Sequence, residues 1–86
     1  EEKVDEEYME YELLIEKLRH SVEQLPGQTK VVFKKCFLDG RKYQEAADEL
    51  NISINTVKTH INKALKLLRS RFAGDEIILI VFLLGK

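Results

Sequence analysis

The chain has one cysteine, one proline and no apolar run longer than eight residues, and each scarcity closes off a class of protein. Cys36 has no second thiol to pair with, so no internal disulfide forms, and one thiol by itself makes no zinc site. Close to Phe33 and Phe37, it reads as a small buried hydrophobe and not as a reactive group. The longest apolar run, Ile77 to Leu84, has eight residues, where a membrane-spanning helix needs about twenty. The start carries no basic, apolar, small-residue leader, so the expectation is a cytoplasmic protein. The two histidines, His20 and His60, fall in different predicted elements. No acid, serine or cysteine is spaced to complete a triad or a metal set with either. The reading is therefore of a non-enzyme without metal or cofactor. At 86 residues there is room for one small domain with a modest core, and little for an enclosed catalytic pocket. The chain begins with Glu1 and not with methionine, which fits a piece of a longer protein.

What is present is an uneven distribution of charge. The formal net charge is −1. Residues 1–23 hold nine acids against three bases, a net −6, while residues 54–71 hold five bases and no acid, a net +5. A sequence pI near 6.2 would not suggest a nucleic-acid binder, but phosphates respond to the local field and not to the sum. The acidic end would keep DNA off the wrong face, or is simply a solvated helix face.

The stretch Lys42 to Arg69 reads as a short helix, a tight turn and a longer helix. Ala46, Ala47 and Leu50 form the apolar stripe of the first helix. Asn51 takes the turn, because Asn tolerates the left-handed conformation better than any residue but Gly. Ile52 plugs the turn, and Ser53 is the N-cap, its hydroxyl accepting from the backbone N–H of Asn55 or Thr56. Val57, Ile61, Ala64, Leu65, Leu68 and Phe72 then repeat at helical spacing and face a core. Asn55, Lys58, Thr59, Asn62, Lys63 and Lys66 lie on the other side. This is helix-turn-helix grammar with a second helix chemically suited to DNA.

Upstream, Val4, Tyr8, Tyr11, Ile15, Leu18, Val22 and Leu25 form a heptad-like seam with acids outside it, expected to pack a first helix on its own domain. A homotypic coiled coil and docking onto another protein are the alternatives. Leu25-Pro26-Gly27 breaks that helix, and Pro26 suits the start of the next. The second helix runs to Leu38 with Val32, Phe33, Cys36 and Phe37 inward, and ends at Asp39-Gly40. Its Lys30, Lys34 and Lys35 are solvated or touch phosphate. The apolar tail has three fates: it adds to the core, binds a partner's groove, or pairs with a second copy.

Leu25-Pro26, Val32-Phe33, Gly40, Tyr43-Gln44-Glu45-Ala46-Ala47 and Ile52 through His60 together resemble region 4 of the sigma-70 superfamily, in its extracytoplasmic-function (ECF) group. The resemblance spans about residues 20–72. Ala46 stands where that pattern usually has Ile, and His60 and Asn62 stand where many ECF members have aromatic residues or arginine. LuxR/GerE-type response-regulator domains share the piece around Thr56-Val57-Lys58, but open differently from Leu25-Pro26-Gly27-Gln28-Thr29. The resemblance implies an all-α bundle of four to five helices, in the winged-helix-like DNA-binding superfamily but without a wing. Residues 1–20 would be the end of an inter-region linker with the first helix, 21–73 the helix-turn-helix domain, and 74–86 the tail.

The function so implied is bacterial transcription initiation. The domain docks on the β flap of RNA polymerase core while its recognition helix, about 54–69, enters the major groove of the promoter −35 element. Lys58, Thr59, Asn62 and Lys63 are the expected base contacts. Arg41, Lys42, Asn55, Thr56, His60, Lys66 and Arg69 are the expected backbone contacts. An anti-sigma factor is the further partner, and self-association would run through the first helix or the tail. The alternatives are a LuxR/GerE-type DNA-binding domain and a pure interaction module held by an anti-sigma protein.

Overall fold

The computed structural model describes residues 2–74 and 76, with side chains from residue 9 onward. Four helices follow in order: α1 (Glu2–Glu23), α2 (Gly27–Phe37), α3 (Tyr43–Leu50) and α4 (Ile54–Arg69). The described residues contain no strand, so the domain is the small all-α bundle expected. The tail from Ile77 to Leu84, with its three expected fates, lies outside the described residues.

Each boundary has a local cause. Pro26 is the N-cap of α2, with φ −69° and ψ 142°. Its carbonyl accepts from Lys30 N at 3.0 Å, and its ring already holds the φ a helix start requires. At the other end of α2 the Lys34 carbonyl accepts from both Leu38 N (2.9 Å) and Asp39 N (3.0 Å), and Arg41 N donates to Lys35 O at 2.9 Å. This wrap-around passes through Gly40 at φ +72°, where a side chain would be strained. Helix α3 opens with the Glu45 carboxylate accepting from the backbone N–H of Lys42 at 2.8 Å, half of a capping box.

The turn between α3 and α4 forms as its residues predict. Asn51 adopts φ 57°, ψ 45°, and Ile52 N reaches back to Ala47 O at 3.0 Å. Ser53 Oγ accepts from Thr56 N at 3.0 Å, capping α4. Asn51→Gly is expected to leave the melting temperature unchanged or higher. Asn51→Val should cost about 1–2 kcal/mol, because a branched Cβ is crowded in the left-handed region. Thermal denaturation of the pair checks this, and equal melting temperatures would refute it.

The core gathers between α2, α3 and α4. Val32, Phe33, Ala46, Val57 and Ala64 have no exposed surface, and Phe33 stacks on Phe37 with ring centroids 4.7 Å apart. Cys36 and Phe37, expected inward, pack against the core but stay half-buried, and Thr29 is buried at 2% exposure. The α1 seam is also displaced. Leu18, Val22 and Leu25 pack on the core as expected, but Tyr11 is exposed, Ile15 only half-buried, and Leu14 takes the inward place. The reason is tertiary: Leu14 meets Phe72, just past α4, in a small second cluster with Leu18. The Lys17 ammonium lies 4.9 Å from the Phe72 ring centre and bonds Glu76 at 3.1 Å. Helix α1 thus crosses residue 20 without a break.

Candidate nucleic-acid interface

Helix α4 separates its two faces cleanly. Val57, Ile61, Ala64 and Leu68 are buried, and Asn55, Lys58, Thr59, Asn62, Lys63, Lys66 and Arg69 are exposed. At about 100° per residue, the arc from Lys58 to Lys63 spans roughly 140° on the side opposite the core. Thr56 is half-buried, its hydroxyl 2.9 Å from Ser53 Oγ in the cap. The Thr59 hydroxyl donates back to the Asn55 carbonyl at 3.0 Å.

The ion pairs sort the cations in a way the sequence did not reveal. Glu23 holds Lys34 and, at 3.6 Å, Lys30. Glu49 holds Lys35 at 2.9 Å and Arg41 at 2.8 Å. Hydrogen bonding from Lys34, and its charge, keep the Glu23 carboxyl below the usual carboxylate range. Lys35 and then Arg41 do the same for Glu49. The α2 lysines, read as solvated or phosphate-touching, are thus engaged within the domain, and so is Arg41. By contrast Lys58, Lys63, Lys66 and Arg69 have no acidic partner among the described residues. Lys42 is exposed at the start of α3, and its ammonium is likewise unpaired among these residues.

His60 occupies the border between the two faces. It is half-buried, with Nδ1 2.9 Å from Thr29 Oγ1 of α2. Sequence reasoning passed over Thr29, although a signal was present: Thr29, Val32, Phe33 and Cys36 complete an i, i+3, i+4, i+7 stripe. Partial burial pushes the Cys36 thiol pKa up, which disfavours the thiolate, the reactive form. No group of three or more His, Cys, Asp or Glu among the described residues is arranged to hold a metal. No helix among them is long and apolar enough to cross a membrane.

A short helix, a left-handed Asn turn and a longer helix with a basic, unpaired outer face define a helix-turn-helix domain of the DNA-binding kind. The family model "Sigma-70, region 4" matches residues 15–68, and the chain belongs to that family. No curated protein and no solved structure matches the chain. Membership gives the domain the promoter-recognition role of a sigma factor, with promoter DNA and RNA polymerase as its partners. The family is regulatory and DNA-binding, not catalytic.

Proposed function

We propose that residues 21–73 form the −35-reading unit of an ECF-type sigma factor, which works in the cytoplasm while docked on the β flap of RNA polymerase core. The observation that carries this reading is the free cationic face of α4 beside cations elsewhere that are neutralised by acids. Lys58 and Lys63 donate to guanine O6 and N7, and Asn62 pairs with adenine N6 and N7, each worth about 1–3 kcal/mol of discrimination. Thr59 has committed its hydroxyl proton to the Asn55 carbonyl, so it meets a thymine methyl and not a phosphate. Asn55, Thr56, His60, Lys66, Arg69 and Lys42 contact the backbone. Arg41 joins them only by releasing Glu49.

Docking on polymerase is supported by an apolar groove of 320 Å³ between α1 and α2, framed by Ile15, Leu18, Val22, Phe33 and Leu38. No residue of α4 lines it, so both surfaces are available at once. An anti-sigma protein covering this groove would block polymerase docking.

The test is promoter binding by polymerase assembled with the whole sigma factor, across single-base variants of the −35 box. Lys63→Ala should relax discrimination at one or two positions. Arg69→Ala should weaken all variants alike and reduce the salt slope by about 1. Equal losses across every variant for Lys63→Ala would contradict the base-reading role.

Glu49 supplies a gain-of-affinity prediction. Glu49→Gln frees Lys35 and Arg41, so the salt slope of duplex binding should steepen by about 1–2. Acidification acts the same way. The folded carboxyl titrates below its ordinary value, so its stabilising pairs are complete above the unfolded pKa and are lost as pH falls through the folded one. An unchanged salt slope in Glu49→Gln would show that neither cation reaches phosphate.

A further inference from the structure

We infer that Thr29, inside the domain, sets which nitrogen of His60 offers a proton to the DNA backbone, and so acts as a positioning residue for DNA binding. This rests on the DNA-contact reading of α4. Thr29 is 2% exposed, and the partner of its hydroxyl is His60 Nδ1 at 2.9 Å. A buried hydroxyl proton without an acceptor is costly. Nδ1 is its one hydrogen-bond partner among the described residues, so the hydroxyl donates to Nδ1. A neutral imidazole that accepts at Nδ1 carries its own proton on Nε2.

Nε2 has no partner among the described residues, and no buried side-chain nitrogen or oxygen lacks one. Nε2 therefore opens to solvent. His60 stands one helical turn from both Thr56 and Lys63 on α4, at the edge of the outward face. An N–H donor held there suits a phosphate oxygen. It adds a contact that carries no sequence information and, unlike a lysine contact, brings no charge of its own in the neutral form. The bond also ties the first turn of α2 to the middle of α4, so the donor's direction is held by the body of the domain.

The experiment titrates the chain with a mixed-sequence duplex of about 20 base pairs, since a phosphate contact needs no particular sequence. Imidazole ¹⁵N shifts of His60 are recorded with and without DNA. The expected results are a protonated Nε2 in the wild type, shifted on binding, and duplex affinity weakened about threefold to tenfold in Thr29→Val. Thr29→Ser, which restores the hydroxyl, should return near wild-type affinity. A folded Thr29→Val that binds as wild type overturns the inference, and so does a wild-type His60 protonated on Nδ1. If Thr29→Val does not fold, the wild-type shifts decide: a Nε2 resonance unmoved by DNA overturns the assignment. Lys66→Ala separates the two levels. Wild-type binding that Lys66→Ala weakens but Thr29→Val does not overturns only the role of Thr29. No duplex binding by the wild type overturns the DNA reading and this inference together.

Discussion

Phe33→Ala is expected to remove a large share of the stability of the domain. Phe33 is fully buried, stacks on Phe37 with centroids 4.7 Å apart, and lies in α2, which packs against α4. Truncating a buried phenylalanine costs about 3–5 kcal/mol, from lost transfer energy and the cavity left behind. A chain of this length has roughly 4–13 kcal/mol in total. Urea denaturation should show the midpoint falling steeply with little change in slope, since the surface exposed on unfolding is nearly the same. Phe37→Ala, at a half-buried site, should cost clearly less. A Phe33→Ala protein within 1 kcal/mol of wild type would mean that the core is not organised around this ring. DNA binding should disappear only as the protein unfolds, because Phe33 supports α4 from behind and lies away from its outward face.

The second large effect has the opposite character: function is lost and the fold is kept. Changing Lys58, Lys63 and Lys66 together to alanine removes three exposed cations that have no acidic partner among the described residues. No internal ion pair is broken, and alanine is the best helix former. The circular dichroism spectrum and melting temperature should therefore match wild type or exceed it slightly. Of the three only Lys66 is a phosphate contact, and each phosphate neutralised contributes about 0.9 to the salt slope, so the slope should fall by about 1. With the two base contacts of Lys58 and Lys63 also lost, at about 1–3 kcal/mol each, affinity for promoter duplex should fall by at least about 10²-fold. Retained affinity with an unchanged slope would show that DNA does not meet this face of α4. The two variants together distinguish the scaffold from the interface.

The helix-turn-helix was legible residue by residue because its signals are local. The left-handed turn needs a residue that tolerates positive φ, and Asn51 is one. The cap needs a short hydroxyl two residues later, and Ser53 is there. The faces of α4 follow from 3.6-residue periodicity alone, so Val57, Ile61, Ala64 and Leu68 fell inside and the lysines outside, as expected. Helix α1 was read less well. Its heptad-like spacing pointed to Tyr11 and Ile15, but Leu14 is the residue that meets Phe72. Periodicity shows that a stripe exists, but the facing element chooses its edge, and Phe72 is far away along the chain.

The cations show the same limit more sharply. Lys30, Lys34, Lys35 and Arg41 look no different in sequence from Lys58 and Lys63. Only the folded chain brings Glu23 beside the first two and Glu49 beside the others, and so leaves α4 as the free basic surface. Thr29 and His60 are 31 residues apart, and nothing in either neighbourhood announces their bond. The sequence by itself determined the helices, their caps, the turn and the outward face of α4, because backbone preference and helical period act over a few residues. Which charges are cancelled, which edge of α1 is buried and that His60 bonds Thr29 were settled only in the folded chain, because electrostatics and hydrogen bonding depend on distance in space, and distance along the chain does not predict it.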